Sequence, residues 1–220
     1  MKKLKDAVEG FESFLGRPVY FAARPLLLLL VVPMILAFTQ PLWHMHFEAP
    51  QYPSGLDLYV HAYKLDGGHG GHDVQEINTL NHYIGMRHLD RSELSDLDWI
   101  PFALGLLVIL ALRVAVIGNV RSLVDLVVIT VYVGLFSLAR FAYKLWIFGH
   151  DLDPKAPLRV EPFMPVVFGR KTIANFTTES YPAAGTWLIS AFAIGCVALL
   201  AWHLIAGRRA HVRERSAQPR

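Results

Sequence analysis

Seven of the ten histidines fall between residues 43 and 98: His44, His46, His61, His69, His72, His82 and His88. An eighth, His150, lies near the start of a second polar segment, and Met45 and Met86 stand among the seven. Imidazole with thioether suits copper, and imidazole with carboxylate suits zinc or iron. Two sub-patterns stand out. In Trp43-His44-Met45-His46, extended backbone sends His44 and His46 to one side and Met45 to the other. That arrangement serves a copper or partner contact, or an interfacial belt in which imidazoles replace Tyr or Trp. In Asp66-Gly67-Gly68-His69-Gly70-Gly71-His72-Asp73 the glycines free the backbone, and two histidines three apart can converge on one ion. Val74, Ile77, Leu80 and Ile84 then follow a helical period, predicting a helix over 74–86 with His82 and Met86 on one face. His69, His72, His82 and Met86, with His88, form the main metal-site expectation; His44, Met45 and His46 form the weaker one. The alternative is a glycine-rich docking loop whose histidines hydrogen-bond a partner.

Other chemistry is sparse. There is no Gly-x-Ser-x-Gly, no phosphate loop and no His-Glu-x-x-His. Glu48, Asp66, Asp73 and Glu76 are not paired as acid and base, so the chain is not expected to be an enzyme on its own. One cysteine excludes a disulfide framework and a Cys-rich metal site within this chain. Two Pro-rich runs read as extended docking segments: Glu48, Pro50, Gln51, Tyr52 and Pro53 in the first, Phe163, Met164 and Pro165 in the second. The sequon at Asn175 matters only in a eukaryotic secretory pathway.

The elements that position these residues are apolar helices. Hydrophobic residues make up 54% of the 220, charged residues 18%, against roughly 45–50% and 25% in soluble domains. Four runs approach the roughly 20 helical residues that cross a hydrocarbon core: 25–43, 99–117, 123–148 and 186–206. The expected fold is all-α, with four transmembrane helices and a mostly irregular, partly helical segment between the first two. Residues 1–24, where Leu4, Val8, Phe11 and Leu15 share a helical period, predict an interfacial helix or one packed on a partner subunit. The tail 207–220 is expected to be disordered.

Charge sets the expected orientation. Lys2, Lys3, Lys5, Arg17 and Arg24 precede the first run, Arg121 separates the second and third, and five arginines follow the fourth. Segment 43–98 carries three basic and nine acidic residues, a net of −6. The positive-inside rule puts both termini in the cytoplasm and the loops 44–98 and 149–185 outside, which in a bacterial inner membrane means the periplasm. Trp43, Trp99, Trp146 and Trp187 would line one interface. The overall charge of +3 is too small to argue for nucleic acid.

Within the runs, Arg140 and Lys144 share a helix face near the outer end. They either snorkel or meet an acidic partner, haem propionates or a lipid head group. His203 has no second histidine at matching depth, so haem enters only if shared with another subunit. Cys196 reads as a packed apolar residue.

The strings His46-Phe47-Glu48-Ala49-Pro50-Gln51-Tyr52-Pro53, His72-Asp73-Val74-Gln75-Glu76-Ile77-Asn78-Thr79-Leu80-Asn81-His82-Tyr83-Ile84-Gly85-Met86 and Ile173-Ala174-Asn175-Phe176-Thr177 resemble a group of small bacterial membrane proteins. These are encoded beside respiratory nitric oxide and nitrous oxide reductases. The resemblance implies context, not residue roles. On it, the chain is expected to be an accessory subunit or assembly factor of a copper or haem respiratory reductase. Its outward His/Met segment would bind copper or dock a respiratory membrane or periplasmic partner. The alternative is a quinol- or haem-interacting electron-transfer subunit.

Overall fold

A computed structural model describes residues 2–173 and 176–207; the expectations for Ala174, Asn175 and the tail after Gly207 lie outside them. The described chain is mostly helical. Its helices are α1 (Lys2–Leu15), α2 (Ala23–Ala37), α3 (His72–Ile84), α4 (Asp96–Ile117), α5 (Val120–His150) and α6 (Ala184–Trp202), the last continued by a π turn, His203–Gly207. Between them lie β1 (Trp43–Ala49), β2 (Tyr52–Val60), β3 (Leu65–Gly67), β4 (Gly169–Ile173) and β5 (Phe176–Pro182).

Among the described residues, three helices are long and apolar enough to cross a membrane: α4, α5 and Ala184–Gly207. Their surfaces carry large apolar side chains with little cover; Phe102 is 80% exposed and Ile194 69%. The fourth run differs from expectation. Its helix, α2, has 15 residues, about 22 Å at 1.5 Å per residue. It stops before Thr39-Gln40-Pro41, and Trp43 opens a strand instead of ending a span. The run expected to span over 25–43 is thus helical only to Ala37, short of the roughly 20 residues that cross a hydrocarbon core.

The larger difference concerns the two segments expected to face outward. In place of mostly irregular chain there is a five-stranded antiparallel sheet, in the order β3-β2-β1-β5-β4. It is built from both segments, and β1, which opens the first, lies at its centre. The run around Pro50 is a hairpin: Ala49 faces Tyr52 across a two-residue connection. Pro53 fits because β3 pairs with β2 only at Leu58, Tyr59 and Val60, so the missing N–H faces no neighbour there.

The chain divides into two compact units. One comprises the described parts of Met1–Ile35, Leu104–Val133 and Ile189–Arg220. In it His203 is buried, its Nδ1–H donating to the Leu199 carbonyl (2.7 Å) and its Nε2 accepting the Tyr20 amide (3.1 Å). Those two bonds fix one neutral tautomer, so this histidine ties backbone together. The other unit comprises Leu36–Ala103 and Gly134–Leu188. It holds the sheet, α3, and a core of Met45, Leu56, Leu58 and Ile77, each no more than 5% exposed.

Candidate functional site

Strand alternation builds the site. On β1, Met45 points into the core and His44 and His46 point to the other face, as expected. Pairing with β2 sets His44 opposite Tyr59 and His46 opposite Asp57. Directly opposite residues share a face, so Asp57 comes up between the two rings. His44 Nε2 donates to Asp57 Oδ1 at 2.8 Å, and His46 Nδ1 donates to the same oxygen at 2.8 Å. The His44 ring stacks on Tyr59, centroids 4.7 Å apart. Glu48 stands next on the strand, 3.9 Å from His46 Nε2.

The glycine loop reaches the same place. Gly68 donates to the Asp57 carbonyl (3.1 Å), and the Asp57 amide donates to Asp73 Oδ2 (2.8 Å). Asp73, 2% exposed, thus replaces the missing next residue of β3. Its second oxygen accepts from His69 Nδ1 at 2.8 Å. His69 sits at φ 49, an uncommon conformation for a residue with a side chain. Three histidines and two carboxylates therefore form one linked network.

Two glycines are needed by contact. A Cβ on Gly55, which has φ 76, would stand 2.1 Å from the His46 ring. A Cβ on Gly68 would stand 2.4 Å from Asp73 Oδ2. Both residues leave the space that the network occupies.

Burial tends to raise the Asp57 carboxyl, but the hydrogen bonds from His46 and His44 outweigh it, and the net shift is below the usual carboxylate value. The group is an anion at neutral pH, facing two imidazoles. Nitrogen and oxygen donors held on one ion at about 2.0–2.1 Å lie roughly 3 Å apart. The two 2.8 Å contacts are close to that spacing. Among the described residues, no group of three or more His, Cys, Asp or Glu has the arrangement of a ready-formed metal site. As it stands, each ring commits an N–H to Asp57.

The other expected ligands are distributed differently. His72 opens α3 and is exposed. His82 and His88 are exposed, with ring centroids 6.4 Å apart. The helical pairing of His82 with Met86 does not form: α3 ends at Ile84, Gly85 takes φ 77, and Met86 leaves the helix. Met86 instead lines an apolar cavity of about 230 Å3 on the inner side of the sheet.

Of the second docking segment, Phe163 and Pro165 line that cavity, and all three of Phe163, Met164 and Pro165 are half-buried. Of the first segment, Pro50, Gln51 and Pro53 are exposed. Tyr52 donates to Glu76, and Glu48 pairs with Arg170 (3.2 Å). At the cavity wall Arg140 does meet an acidic partner, donating twice to Asp96 (2.9 and 3.1 Å). Lys144 donates to the Glu93 carbonyl.

Asp57 was missed in sequence because its role depends on strand register. The available signal was the alternation Leu56-Asp57-Leu58-Tyr59-Val60, which predicts a strand with Asp57 on a polar face. No protein-family model, characterised protein or solved structure matches this chain.

Proposed function

We propose that this chain is a membrane-integral accessory subunit or assembly factor of a copper-dependent respiratory reductase. In this reading four apolar helices, the short α2 included, anchor it with both termini inside. The sheet stands on the outer side and presents a copper-binding face. The observation that carries the copper reading is the aiming of His44 and His46 at one oxygen of Asp57. Two imidazoles and a carboxylate form a nitrogen–oxygen set suited to divalent copper. An ion enters where the two N–H groups now point at Asp57, each neutral ring moving that one proton to its other nitrogen and offering the freed lone pair to the metal. His69 and Asp73 hold Asp57 in register and are not required as ligands. The exposed hairpin tip at Pro50, Gln51 and Pro53 then contacts the partner that receives or shares the metal.

Titration of the purified protein with copper(II) against a competing chelator tests this. One ion per chain is expected for wild type and for His82→Gln/His88→Gln. Loss is expected for His44→Gln/His46→Gln. Negligible copper on the wild type, or retention by the His44/His46 variant, contradicts the reading.

A further inference from the structure

The cavity beneath the sheet is built for a different ligand. Its wall is mostly apolar, with Met45 and Leu58 from the sheet, Leu80 from α3 and Leu145 from α5. Water gains few hydrogen bonds in such a space, whereas a hydrocarbon chain fits it. The charged groups at the wall do not balance. Arg140 pairs with Asp96, which also feels the charge of Lys144, so three cations stand at the wall with one carboxylate. Lys144 and Lys171 also line the cavity, and their ammonium groups donate to the backbone carbonyls of Glu93 and Met164. Neither forms an ion pair among the described residues. An apolar hollow with two such cations at its wall complements an amphiphile with a negative head.

Position along α5 says where that amphiphile comes from. Lys144 lies about 36 Å along the helix from Val120, just beyond a hydrocarbon core roughly 30 Å thick. We infer that the cavity binds one acyl chain of an anionic phospholipid of the outer leaflet, with its phosphate held by Lys144 and Lys171. This rests on the membrane part of the proposed function and is independent of copper.

Native mass spectrometry of the detergent-purified chain tests it, with phosphatidylglycerol and phosphatidylcholine of identical chains added in competition. Each lysine near an anionic head group is worth roughly fivefold. Wild type is expected to retain one phosphatidylglycerol with a preference of about tenfold or more over phosphatidylcholine. Lys144→Gln/Lys171→Gln should bind both lipids equally. Leu80→Trp, which fills the cavity, should bind neither tightly; if that variant fails to fold, the lysine variant alone decides. Equal binding of the two lipids by wild type, an unchanged preference in the lysine variant, or displacement of the lipid by equimolar uncharged decyl-quinone overturns the inference. A chain that stays dispersed without detergent contradicts the membrane reading itself. A detergent-requiring chain without lipid preference contradicts only the lipid site.

Discussion

At the scale of single residues, the geometry rests on what is small as much as on what is charged. Gly55 and Gly70 have similar positive φ values, 76 and 72, so an added Cβ strains both backbones alike. Only at Gly55 would the new atom strike the His46 ring; at Gly70 it would meet nothing within 4 Å among the described residues. Gly55→Ala is therefore expected to weaken copper binding by about tenfold or more, and Gly70→Ala by less than about threefold, in the same chelator competition. His61 gives a second test. Among the described residues its buried Nδ1 has no hydrogen-bond partner, and burial, aided by Lys64 and only partly opposed by Asp66 and the Gln40 backbone, holds the imidazole below its ordinary 6.5. Just below that pH the unfolded chain binds more protons than the folded one, so stability is complete above 6.5 and falls as pH drops. His61→Gln should flatten the difference in melting midpoint between pH 7.5 and 5.5; an unchanged difference assigns it to other groups. The shared face of His44 and His46 was legible from alternation alone. Their partner was not, because Asp57 lies 11 and 13 residues away and only a paired strand brings it close.

At the scale of elements, the helices were read well and the sheet was not. Helices α3, α4, α5 and α6 follow local periods or unbroken apolar runs. The strands are short, and Pro50, Pro53 and Gly55 interrupt their alternation. Strands β4 and β5 are largely polar, with Arg170, Lys171, Thr172, Thr177 and Thr178 among their residues, so no hydrophobic pattern marks them. Their place follows from pairing β1 with β5, over 130 residues apart, with Trp43 opposite Pro182 and His44 opposite Tyr181. The sheet's inner face carries the energy. Leu58, 3% exposed, packs with Met45, Leu56 and Ile77. Leu58→Ala should cost about 2–5 kcal/mol in chemical denaturation, and His44 and His46 should lose their copper with the sheet. A loss below about 1 kcal/mol would mean this face is not a packed core.

At the scale of the whole molecule, three helices suited to a membrane and one shorter apolar helix predict a fixed sidedness. The single cysteine, Cys196, is buried, so a cysteine-free background is simple to make. A new cysteine at Lys155 should react with a membrane-impermeant maleimide in intact cells, and one at Ser13 only after permeabilisation; the reverse pattern inverts the topology. The most direct test of the account is electron paramagnetic resonance of the copper(II)-loaded protein, with nuclear modulation to count bound imidazoles. Two imidazole nitrogens on one copper are expected in wild type and in His82→Gln/His88→Gln, one in His44→Gln, and none in His44→Gln/His46→Gln. A two-imidazole signal that survives in His44→Gln/His46→Gln would contradict the assignment of the metal to this face of the sheet.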